Sequence, residues 1–93
     1  MRIAYKSMIP NDKPQWLLNV QRAVSDVGDM MTLEGNERDY NNLKSFLDAA
    51  IESQRVRGHI RAESVKTEVR TDEGRTVIHV WRNNEVVQTY YIE

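Results

Sequence analysis

The sequence predicts an α+β domain: an antiparallel helical hairpin packed on a three-stranded antiparallel β-meander. Three features of residue placement point there. All five leucines lie between positions 17 and 47. From Ile60 to the end, 13 of 34 residues are Val, Ile or Thr. Leucine favours helices, whereas β-branched residues suit a pleated surface. Turn signals at Asp72–Glu73–Gly74 and Asn83–Asn84 then divide the last third into three strands.

In chain order, residues 2–8 read as an edge strand or an arm, giving (β)ααβββ in one compact domain over 1–93. The first helix is predicted over 12–31. Asn11 or Asp12 can cap its free N–H groups, and Pro14 suits its first turn, where a missing N–H costs nothing. Trp16, Leu17, Val20, Ala23, Val24, Val27 and Met31 fall in one stripe about 120° wide. Gly28 weakens the C-terminal half, so the helix is expected either to end near Val27 or to run on to Met31. The second helix is predicted over 36–57. Asn36 caps it, Glu37 and Asp39 complement its positive end, and Arg55 and Arg57 its negative end. Tyr40, Leu43, Leu47, Ala50 and Ile51 form its buried stripe, and Gly58 suits the left-handed position beyond it. The meander is predicted over 61–92.

Strand register decides which residues share a face. With Asn83–Asn84 as a two-residue turn, Trp81 lies opposite Val86, His79 opposite Gln88 and Val77 opposite Tyr90. The other face then carries Ile78, Val80, Val87, Thr89 and Tyr91. For the first hairpin a three-residue loop is preferred, placing Val65, Thr67 and Val69 with Trp81. A two-residue Glu73–Gly74 loop would place them with Ile78 and Val80. Under either reading both faces of the sheet are apolar, and two helices cover only one. The surplus face, assigned to Ile78, Val80, Val87 and Tyr91, is expected to be an interface with a second copy, as a two-fold dimer, or with another protein. The competing expectation is that Ile3, Tyr5, Met8 and Ile9 fold over it. Leu18 and Val56, on the polar sides of their helices, add to the apolar surface.

Composition excludes more than it identifies. With no cysteine among 93 residues, disulfides, thiolate catalysis and cysteine-held metals are ruled out, and a reducing, cytoplasmic setting fits. No apolar run approaches the ~18 residues of a membrane span, and the first ten residues lack a signal-peptide apolar region. His79 has no ligand partner at i+2 on its strand, His59 has only Glu63 four residues on and lies beyond the second helix, and no serine sits in a nucleophile elbow. The four glycines are used by helix ends and turns, leaving none for a phosphate loop. No catalytic, cofactor or metal site is therefore expected. The net charge of −1 conceals an acidic stretch, −4 over residues 26–39, and a basic one, +3 over residues 55–61. The second reading is single-stranded nucleic-acid binding through Arg55, Arg57 and Arg61 with Trp81 and the sheet aromatics. The chain starts with Met and ends in a predicted strand, so it reads as a whole short frame. A small regulatory or inhibitory accessory protein of bacterial or phage type is the expectation.

Overall fold

A computed structural model describes residues 1–9 and 11–93. Its described residues form β1 (Ile3–Ser7), α1 (Gln15–Gly28), α2 (Glu37–Val56), β2 (Val65–Asp72), β3 (Arg75–Arg82) and β4 (Glu85–Ile92). The strands make one antiparallel sheet in the order β1-β4-β3-β2, with both helices on one side. The α+β architecture and the N-terminal strand are as the sequence predicts.

α1 begins three residues later than expected. Pro14 is its N-cap, in an extended conformation (φ −63, ψ 149), and its carbonyl accepts the Leu17 and Leu18 N–H groups. A proline disfavours helical geometry in the residue before it, so Lys13 cannot join the helix. Asp12 is left-handed, at φ 54. The helix stops at Gly28, at the nearer of its two expected ends and short of Met31. A Cβ on Gly28 would lie 3.2 Å from Ile3 Cδ1, so glycine there lets β1 come close.

α2 follows its local signals. Asn36 Oδ1 accepts the Asp39 N–H at 2.9 Å, and the Asp39 carboxylate accepts the Glu34 and Gly35 N–H groups at 2.7 and 2.9 Å. At the other end Gly58 (φ 81) donates to the Arg55 carbonyl and His59 to that of Gln54, the paired bonds of a Schellman cap. The core joins Trp16, Leu17, Val20 and Val24 of α1 and Tyr40, Leu43, Leu47 and Ile51 of α2 to Ile78, Val80, Val87, Tyr90 and Ile92 of the sheet. Burying each large apolar side chain contributes about 1.5–3 kcal/mol.

The sheet departs from the predicted register twice. Glu73 and Gly74, at φ 52 and 77, form a two-residue turn that sets Asp72 opposite Arg75. Two consecutive positive φ values match the right-handed twist of the strands, so this turn displaces the three-residue loop. Val65, Thr67 and Val69 consequently lie with Ile78 and Val80. Asn83–Asn84 (φ 48 and 72) is the expected two-residue turn. The second departure is a β-bulge. Trp81 pairs with Val86 as expected, but Val80 pairs with Gln88, leaving Val87 as the extra residue of β4. Beyond it the alternation is inverted. Tyr90 faces the helices opposite Ile78, and His79 lies opposite Thr89 and Glu68.

β1 lies in the plane of the sheet, paired with β4 from Ile3–Ile92 to Ser7–Gln88. It therefore extends the sheet and does not fold over its outer face. Its Tyr5 ring centroid is 6.0 Å from that of Tyr90. Tyr5 Oη accepts from Gln21 Nε2, and Gln21 Oε1 from Gln88 Nε2, tying β1 and β4 to α1.

The Tyr90 hydroxyl is buried without a hydrogen-bond partner among the described residues. Burial, reinforced by the neighbouring Tyr5, raises its pKa far above the ordinary 10.0. Above about pH 10 the unfolded chain releases a phenolic proton that the native state retains, so stability falls as pH rises. In urea unfolding from neutral pH to about pH 11, Tyr90→Phe is expected to lose less stability than wild type. At neutral pH it should differ from wild type by no more than about 1 kcal/mol.

Candidate interaction face

The sheet side turned away from the helices is built by strand alternation. β3 supplies Arg75, Val77, His79 and Trp81, and β4 supplies Val86, Thr89 and Tyr91. The edge strands add Ala4 and Lys6 from β1 and Lys66, Glu68, Arg70 and Asp72 from β2. No described element lies over this face. Val77 is buried yet stands apart from the core cluster, because its own strand neighbours shield it. Trp81, Tyr91, Val86 and His79 are half-buried.

The centre of the face is aromatic and aliphatic, and its rim is mostly cationic. The His79 and Trp81 rings meet edge to face at 6.2 Å. Lys66 Nζ lies 5.7 Å from the Trp81 ring centroid, and the Arg75 guanidinium 4.4 Å from that of Tyr91. These are cation–π distances. Glu68 is paired with Arg70, whose hydrogen bond holds the Glu68 carboxyl below its ordinary pKa. Arg2 is paired with Glu93 at 2.7 Å. Lys6, Lys66 and Arg75 stand outside the ion pairs. A hollow of about 440 Å³ crosses the face, lined among others by Lys6, Asp72, Arg75, Val77, Thr89 and Tyr91. His79 Nδ1, Trp81 Nε1 and Thr89 Oγ1 are shielded from water here and have no hydrogen-bond partner among the described residues. Each such group costs about 1–3 kcal/mol.

The predicted interface residues divide between the two sides. Ile78, Val80 and Val87 are 0%, 0% and 1% exposed and lie in the core beneath the helices. Of the four, Tyr91 alone is on the open face, because the bulge at Val87 turns β4 over between them. The open face is thus the Trp81 side. Sequence reading missed Lys6 and Arg75, whose place depends on β1 lying beside β4 and on the tight Glu73–Gly74 turn. The alternation Val77–His79–Trp81 was the visible signal.

The basic cluster does not join this face. Arg55 pairs with Glu52 at 2.7 Å and reaches the Val65 carbonyl from the helix layer at 3.4 Å. Arg61 Nε donates to the Gly58 carbonyl at 3.1 Å, and Arg57 is exposed just beyond α2. Trp81 projects from the opposite side of the sheet. Leu18 and Val56 are exposed, at 39% and 78%. Among the described residues no three His, Asp or Glu side chains converge as a metal site. No described helix is long and apolar enough to cross a membrane. Comparison with protein-family models, curated proteins and solved structures finds no match.

The two sides of β3 should respond differently to substitution. Val80→Asp places a carboxylate in the core and is expected to abolish cooperative thermal unfolding. Trp81→Ala, on the open face, should keep a cooperative transition within about 2 kcal/mol of wild type.

Proposed function

We propose that this chain is a non-catalytic interaction protein that engages an acidic protein partner through its open sheet face. The observation that carries the reading is the pairing of an uncovered, half-buried apolar strip, Trp81, Val86 and Tyr91, with a rim of Lys6, Lys66 and Arg75 that lie outside ion pairs. The strip supplies area whose burial drives association. The rim favours a partner with carboxylates around an apolar centre. A regulatory or inhibitory role in a reducing cytoplasm fits such a small binding module without cysteine, and its histidines, one after α2 and one within β3, do not form a pair.

Single-stranded nucleic acid is the second reading, favoured by the cation-capped rings Lys66–Trp81 and Arg75–Tyr91. Glu68, Asp72 and Glu93 on the same face oppose a polyanion, which places it second.

The test has two arms. Proteins captured from native host extract are identified and their binding is remeasured with purified components. Lys6→Glu with Arg75→Glu, and separately Trp81→Ala, should each weaken that binding at least tenfold, about 1.4 kcal/mol. Binding that survives both sets of substitutions rejects the open face as the site. In the second arm, labelled single-stranded DNA and RNA are titrated at rising salt. Tight binding that falls steeply with salt and depends on Trp81 would replace the protein partner with nucleic acid.

A further inference from the structure

β2 ends the sheet, and among the described residues nothing pairs with its outer edge. Its hydrogen-bonding phase follows from Ser64, whose carbonyl accepts the Asn83 N–H and whose N–H donates to Asn83 Oδ1. Even-numbered residues of β2 therefore bond towards β3, and the N–H and C=O groups of Val65, Thr67, Val69 and Thr71 point outward. At one end the Val65 carbonyl accepts from Arg55. The remaining odd-numbered groups form an edge without proline or bulge, a template for another strand. Val69 lies at its middle and is 36% exposed.

The side chains of this edge are complementary to their own reversal. From 65 to 72 the sequence reads Val-Lys-Thr-Glu-Val-Arg-Thr-Asp. Opposed antiparallel about a two-fold axis at Val69, Lys66 meets Asp72 of the second copy and Glu68 meets Arg70. On the helix side Thr67 meets Thr71 and Val69 meets Val69. The outward-pointing residues then fall in the hydrogen-bonded positions. The charged residues fall in the closer, non-hydrogen-bonded positions, where opposite charges attract most. Neighbouring registers match fewer charges: an axis at Thr67 opposes Lys66 to Glu68 but Arg70 to Ser64, and one at Thr71 opposes Arg70 to Asp72 but Glu68 to Gly74. An axis at Glu68 sets Glu68 against itself and Lys66 against Arg70. An axis at Arg70 sets Arg70 against itself and Glu68 against Asp72. Like charges directly opposite are destabilising, so charge selects the register centred on Val69.

We infer that a second copy of this chain pairs with the β2 edge about a two-fold axis at Val69, joining two four-stranded sheets into one of eight strands. The inference rests on the edge and not on the open face, so the two surfaces succeed or fail separately.

Sedimentation equilibrium from low micromolar to high micromolar concentration reads the association. Wild type is expected to dimerise, and a monomer throughout overturns the inference. Val69→Pro removes an N–H that bonds only across the axis, at an edge position where proline is tolerated, and should give a folded monomer. Lys66→Asp converts two symmetry-related attractions into repulsions and should weaken dimerisation roughly tenfold. Asp72→Lys alone should do the same, and the double exchange should restore wild-type affinity. Positions 66 and 72 lie about 20 Å apart along one strand, so only a second chain brings them together. Failure of the double exchange to rescue overturns the inference. So does a Val69→Pro variant that still dimerises. Amide exchange at Thr67, Val69 and Thr71 should slow as concentration rises. Unprotected amides in a dimer would instead assign association to the open face.

Discussion

A strand that sets two residues against one turns its side-chain alternation over, and β4 does this at Val87. The rest of the molecule depends on that inversion. It lets Val87 and Tyr90 both enter the core, although they are three residues apart and would face opposite ways in a regular strand. It places Ile92 over the same core and sends Thr89 and Tyr91 outward. β1 inherits the inverted phase through its pairing with β4, which turns Ile3 and Tyr5 towards α1 and leaves Ala4 and Lys6 on the open side. The core is completed by a bulge in a strand that has no glycine.

The second constraint is size. Two helices cover one side of four strands, and no described element covers the other. The chain reduces the cost of that open side locally. Lys66 lies over Trp81, Arg75 over Tyr91, and the strand neighbours of Val77 shield it. The charged ends of two exposed side chains thus lie over half-buried aromatic rings. Such cover is held weakly, because each cation–π contact at an exposed site contributes only about 0.5–1 kcal/mol. A partner with carboxylates at the rim would hold the cations and press on the rings at the same time.

Legibility in the sequence followed the range of the deciding interaction. α2 was readable at both ends because Asn36 and Gly58 act on groups within a few residues. The Asn83–Asn84 turn was readable because its two positive φ values are a local preference of asparagine. The start of α1 was misplaced by a rule equally local, the effect of Pro14 on Lys13, which competed with the capping signals at Asn11 and Asp12. The bulge was not readable. Val86 and Val87 are both β-branched and apolar, and only the demand of the core for Tyr90 selects Val87 as the extra residue. The two-residue Glu73–Gly74 turn sets Val65, Thr67 and Val69 beside Ile78 and Val80, on the side that the helices cover, and the extra residue Val87 separates Tyr91 from that side. This left the aromatic residues Trp81 and Tyr91 as the legible part of the site. Lys6 and Arg75 were illegible for a different reason, since their place depends on pairings between distant segments and on a turn one residue shorter than preferred.

Edge and face are coupled through two side chains. Lys66 caps Trp81 on the open face, and in the inferred dimer it is also the residue that meets Asp72 of the second copy. Asp72 in turn lines the hollow that holds Arg75, opposite which it lies in the sheet. Pairing of the two edges would draw Lys66 away from the Trp81 ring and engage Asp72 with a cation outside its own hollow. The changes partly oppose each other: a ring is uncovered and the hollow around Lys6 and Arg75 becomes more positive, while Lys66 leaves the rim. The two open faces would point the same way, because a two-fold axis perpendicular to a sheet leaves its faces on their own sides. The seam between them would be neutral, its charges matched in pairs, and the basic rim would survive on the β1 flanks. An acidic partner long enough to span the seam would meet two copies of the face in one plane, so that edge pairing adds avidity to binding at the face without being required for it.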